Sequence, residues 1–91
     1  MAVVTDLIEE MRQVRRLPPP SIARAIRREA GVSQQRVATE LGVHRVTIAR
    51  WELGTRTPRN ALRHAYANLL ADIQAALAAA AVDQSWPGRV R

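Results

Sequence analysis

The sequence predicts an all-α fold: a compact helix-turn-helix bundle of about four helices, with an extra N-terminal helix ahead of it and an extended C-terminal helix behind. Three observations carry this. Residues 33–58 hold two short helical patterns separated by Gly42-Val43. A loop centred on Gly54 and closed by Pro58 follows them. From Ala61 onward, apolar residues recur at helical spacing and run into a stretch of alanine.

The elements follow in order. Thr5 or Asp6 can cap a first helix reaching to about Leu17, and Asp6 with Glu9 has capping-box spacing. Leu7, Met11 and Val14 share one face of it, which suits packing on the chain's own core or a helix–helix contact with a second copy. Pro18-Pro19-Pro20 ends that helix as a stiff, extended spacer. Ser21 is the expected cap of a helix over 22–30, with Ile22, Ala25 and Ile26 as its buried stripe and Gly31 as its stop. Ser33 caps a helix over 34–41 whose apolar face is Val37, Ala38 and Leu41. Gly42 stops it, because only glycine enters the left-handed region without a steric cost. Val43, Ile48 and Trp51 continue the apolar set into a helix over 45–53. Pro58 and Asn60 open the last helix, striped by Leu62, Ala65, Tyr66, Leu69, Leu70, Ile73 and Leu77. Alanine, the best helix former, carries it to about Val82. Leu69, Ile73 and Leu77, on a helix that outgrows its bundle, are a candidate dimer seam.

Composition narrows the function. The length of 91 residues allows one domain with a modest core. There is no cysteine, so disulfides and thiolate metal sites are excluded. Asp72, Gln74 and Asp83 interrupt the alanine-rich run, so no membrane span is expected there. Met1-Ala2-Val3-Val4 is too short for a secretory signal, and a cytoplasmic protein is the simplest reading. The net charge is +6, and the excess lies in residues 21–63, where nine arginines face Glu29, Glu40 and Glu52. A basic block centred on a helix-turn-helix is the footprint of a phosphate-binding surface. All 14 basic residues are arginine. That suits bidentate contact with phosphate or guanine, and equally a GC-rich genome. His44 and His64 lie far apart with no third ligand, and no nucleophile–base set appears, so no enzyme, metal or cofactor is expected.

The set Gly31, Ser33-Gln34-Gln35, Ala38, Leu41-Gly42-Val43, Ile48 and Trp51-Glu52-Leu53-Gly54, with Pro58 beyond, resembles the Cro/repressor-type (Xre, lambda-repressor-like) helix-turn-helix domain. The resemblance runs from Ile26-Arg27 to about Ile73. It implies a DNA-binding domain, placed here over 21–82; the helix and proline linker over 1–20 are an addition that the family domain does not need, and residues 83–91 read as a flexible tail. The resemblance also implies an ion pair between Arg27 and Glu52, tying the first domain helix to the recognition helix. Gln34, at a helix N-terminus, takes the place of a family glutamine that meets a phosphate. Thr55, Arg56 and Arg59 fall in the loop that contacts the DNA backbone in the family. His44 stands where the family has Ser or Thr as N-cap; it can contact a phosphate or a base, or remain a solvated loop residue.

Laid out at about 100° per residue, the helix over 45–53 has Ile48, Trp51 and Glu52 on its inner side. Arg45, Val46, Ala49 and Arg50 then face outward, with Thr47 at the flank in reach of a phosphate. Two features of that outer face break local rules. Val46 and Ala49 leave an apolar strip in water, and Arg45 sets a positive charge on the positive end of the helix dipole. In a major groove both make sense: Val46 or Ala49 meets a thymine methyl, and Arg45 or Arg50 grips guanine. The expected protein is a regulator of double-stranded DNA, most simply a repressor, acting as a homodimer. Alternatives are an antitoxin that binds a toxin partner and autoregulates its promoter, or a phage excision or recombination factor. Trp86 in the tail either packs back on the last helix or meets a partner.

Overall fold

The computed structural model describes residues 16–85. Leu7, Met11 and Val14 of the expected first helix, and Trp86 of the tail, lie outside them. Residues 16–19 are not helical, so an N-terminal helix cannot reach Leu17 as expected. Four helices follow: α1 (Pro20–Glu29), α2 (Gln34–Leu41), α3 (Arg45–Leu53) and α4 (Asn60–Ser85). The two central helices have the limits read from the sequence.

Helix α1 differs in start and face. It is entered through Pro19 and carries Pro20 in its first turn, and Ser21 makes no capping bond. Two prolines fix φ near its helical value, so the helix forms before Ser21 is needed. Its buried residues are Ala23 and Ile26, whereas Ile22 is 48% exposed and Ala25 is exposed. The expected stripe is therefore rotated by one residue. Ala23, Ile26, Arg27 and Ala30 make a face of spacing three and four, and that rotation turns Arg27 inward toward Glu52.

Ser33 caps α2 by accepting a hydrogen bond from the Arg36 amide at 3.0 Å, satisfying one of the free donors of a helix start. Gly42 ends α2 at φ 71° and Gly54 ends α3 at φ 80°, both left-handed. Between α2 and α3 only Gly42, Val43 and His44 intervene, and the Val43 amide bonds back to the Ala38 carbonyl at 2.9 Å. The turn is thus a rigid corner that fixes the angle at which α3 is presented.

The core joins Ala23, Ile26, Val37, Ala38, Ile48, Trp51, Tyr66 and Leu70 from all four helices. Trp51 and Tyr66 stack with centroids 4.9 Å apart and planes tilted by 42°. On α4 the buried set is Tyr66, Ala67 and Leu70, while Leu69, Ile73 and Leu77 are half-buried and Leu62 and Ala65 exposed. Asn60 starts this helix with φ 53°, a left-handed turn that asparagine tolerates. The helix runs on to Ser85, past the expected end near Val82.

One expectation is corrected on length and composition. The stretch Asn60–Val82, which holds an 18-residue window of mean hydropathy 1.4, is long and apolar enough to cross a membrane by length and composition. Alanine raises its hydropathy despite Asp72 and Gln74. Tyr66, Ala67 and Leu70 of that stretch are nevertheless committed to the core beneath α1, α2 and α3.

Candidate nucleic-acid interface

Helix α3 is anchored from below and open above. Ile48, Trp51 and Glu52 are buried; Arg45 and Arg50 are exposed, Val46 is 44% exposed and Leu53 73%. Ala49 and Thr47 are half-buried at its flanks. An apolar strip of Val46, Ala49 and Leu53 thus runs along a helix edged by arginines. His44 is the N-cap residue but makes no side-chain capping bond; its carbonyl instead accepts from the Thr47 amide at 2.9 Å.

A hydrogen-bonded relay runs from the core to this face. Arg27 grips Glu52 with two guanidinium nitrogens, Nη2 donating to Oε1 at 2.9 Å, and its Nη1 donates to the Val32 carbonyl at 2.8 Å. The Arg27 and Glu52 side chains are only 11% and 2% exposed. Gln34 Nε2 donates to Glu52 Oε1 at 3.0 Å, and Gln34 Oε1 accepts from Arg45 Nη1 at 2.8 Å. Arg27, Glu52, Gln34 and Arg45 are therefore one chain of contacts from α1 through α3 and α2 to the outer face. Burial pushes the Glu52 carboxyl up, but hydrogen bonds from Arg27 and Gln34 and the charge of Arg27 outweigh it and hold the group below its ordinary value. The hydrogen bond to Glu52 likewise raises Arg27 against its own desolvation.

The loop after α3 closes on the helix end. The amides of Thr55 and Arg56 donate to the Arg50 carbonyl at 3.1 and 3.3 Å, and the Thr55 hydroxyl donates to it at 3.3 Å. That hydroxyl must leave Arg50 before it can serve a phosphate. Arg56 and Arg59 are exposed. Thr47, Arg50 and Arg56 line one concavity of about 320 Å³, which brings the flank of α3 and the loop together.

On the opposite flank, Arg24, Arg28, Gln34, Ala49 and Leu53 line a concavity of about 420 Å³. Arg24 and Arg28 were not singled out in the sequence, although their spacing of four places both on one face of α1. The half-buried Leu69 and Ile73 pack in part against the chain's own core, and Leu77 is half-buried further along α4.

A helix-turn-helix family model matches residues 24–70, just over half of the chain. No curated protein and no solved structure matches it. The matched span opens within α1, takes in α2, the corner and α3, and closes in α4 at Leu70, the last buried residue of the core among those described. With that span, those caps and an arginine-edged third helix, the chain belongs to the Cro/C1-type helix-turn-helix family of DNA-binding regulators.

Proposed function

We propose that this chain is a sequence-specific transcriptional regulator of double-stranded DNA, most simply a repressor, that reads the major groove with α3. The observation that carries the reading is the outer face of α3, with Arg45, Val46 and Arg50 exposed and Ala49 half-buried at its flank, above the buried Ile48, Trp51 and Glu52. Arg45 and Arg50 contact guanine, and Val46 and Ala49 meet thymine methyls. Gln34, His44, Thr47, Thr55, Arg56 and Arg59 engage phosphates, with the Gln34 side chain also aiming Arg45. The protein works as a homodimer on inverted half-sites about one helical turn apart, through the α4 seam of Leu69, Ile73 and Leu77. Such a regulator acts where the DNA is, in the cytoplasm at the nucleoid. The length of α4 beyond the core also suits an antitoxin, which would hold a protein partner with the same helix.

Selection of bound duplexes from a random pool tests this. Arg45→Ala and Arg50→Ala should each lose preference at particular base pairs, by about 1–3 kcal/mol per lost bidentate contact. Arg56→Ala should instead weaken all sequences alike and lower the salt slope by about 0.9. Retained preference in both recognition-helix variants would reject the assignment of α3 as the reading element.

A further inference from the structure

A second arginine face lies beside α3, on the flank away from the loop. At about 100° per residue, Glu52, Ala49 and Leu53 fall to one side of the helix and Thr47, Arg50 and Trp51 to the other. The loop serves the latter side, where Thr47, Arg50 and Arg56 share a concavity. Helix α1 serves the former: Arg24, Arg27 and Arg28 line a concavity of about 420 Å³ whose opposite wall is Ala49 and the exposed Leu53. Arg27 is matched there by the buried Glu52. Arg24 and Arg28 are exposed and, among the described residues, make no ion pair. Glu29 lines only the next concavity along α1. Gln34 stands at the same flank, but its side-chain amide already donates to Glu52 at 3.0 Å and accepts from Arg45 at 2.8 Å. Two cationic side chains on this flank are therefore free for an anion.

A helix seated in the major groove has the phosphates of one strand along each of its flanks. We propose that Arg24 and Arg28 hold phosphates of the strand opposite the one gripped by the loop, so that α3 is clamped into the groove from both sides. The clamp rests on α3 being the reading element. Four residues apart on α1, the two arginines are neighbours, about 5–6 Å apart at their β-carbons, and each offers a phosphate a forked pair of N–H donors. An acidic protein segment would meet the same charges. Duplex DNA is favoured because α3 itself forms the other wall, so the occupant must lie against the reading helix.

Affinity of the full chain for a duplex chosen by the random-pool selection is measured against salt. The double variant Arg24→Gln/Arg28→Gln should bind at least tenfold more weakly, with a salt slope lower by about 1.8, two phosphates at about 0.9 each. Its ranking of sequences should match the native chain's, and its urea midpoint should hold because both side chains are exposed. Arg24→Lys/Arg28→Lys, which keeps both charges, should recover most of the slope. Single methylphosphonate linkages, each removing one backbone charge, then locate the contact. The native chain should lose affinity to such linkages on both strands. Arg24→Gln/Arg28→Gln should erase that penalty at neighbouring linkages of one strand, and Arg56→Gln at linkages of the other. A native salt slope in the double Gln variant, or methylphosphonate penalties that all survive in it, would overturn the clamp and leave this face to an acidic protein segment. Penalties erased on the same strand by both variants would overturn the two-sided grip. In each of those cases a native chain that still binds and ranks duplexes keeps the reading of α3 intact, whereas a native chain that binds no duplex rejects that reading and the clamp together.

Discussion

Glu52 does two jobs at once: it closes the ion pair that joins α1 to α3, and through Gln34 it steers Arg45. A buried pair of this kind is a poor source of net stability, because desolvation offsets most of the attraction, yet stripping one partner strands the other charge. Glu52→Ala should therefore cost about 3 kcal/mol in urea unfolding, although the residue is buried and lies off the outer face of α3. The carboxyl is held below its ordinary value in the folded chain. Its contribution to stability is accordingly complete above the unfolded value of about 4.3 and is lost as pH falls through the lower, folded value. Urea midpoints taken from neutral to acid pH should decline more steeply for the native protein than for Glu52→Gln; parallel declines would show that Glu52 is not the titrating group. Burial also raises Tyr66, to about 12, so its hydroxyl is protonated at neutral pH.

The elements owe their limits to single residues, and this is where the sequence was easiest to read. Gly42 and Gly54 stand at positive φ and end α2 and α3 where a glycine signal predicted. No atom lies within 4 Å of a side-chain carbon placed at Gly42, so its requirement is conformational alone. Gly42→Ala should then cost about 1–2 kcal/mol through the left-handed backbone, with the fold and the DNA face preserved. A melting temperature equal to that of the native chain would contradict this. Spacing likewise exposed the inner side of α3, since Ile48, Trp51 and Glu52 cannot share a face in any other conformation. The face of α1 was less legible. Ile22 looks like core by hydropathy, but the geometry favours whichever rotation lets Arg27 meet Glu52, a partner 25 residues away that local pattern cannot reveal. The Arg45–Gln34 bond was hidden for the same reason, as both side chains look solvent-facing until the corner at Gly42 folds α2 against α3. Alanine misled in another way: it promotes helix and raises hydropathy equally, so α4 passes for a membrane span by composition while part of it builds the core.

At the scale of the molecule, the unresolved demand is the far half of α4. Among the residues whose burial is described, the last buried one on it is Leu70, and the helix continues to Ser85, roughly 22 Å further at 1.5 Å per residue. An isolated helical segment of that length is marginal in water even when rich in alanine, so a packing partner would stabilise it. A second copy is the economical choice, because a two-fold dimer would also set two α3 helices on successive turns of one DNA face. Leu77 is the residue to change: it lies beyond the core, whereas Leu69 and Ile73 pack against it in part. Light scattering of the native chain on a duplex with inverted half-sites should give two protomers per duplex. Leu77→Asp should give a complex at least tenfold weaker, because each half-site then binds without its neighbour, while the urea midpoint of the protomer changes little. A native complex with one protomer would remove the dimer altogether, and an unaltered two-protomer complex in Leu77→Asp would move the contact away from α4.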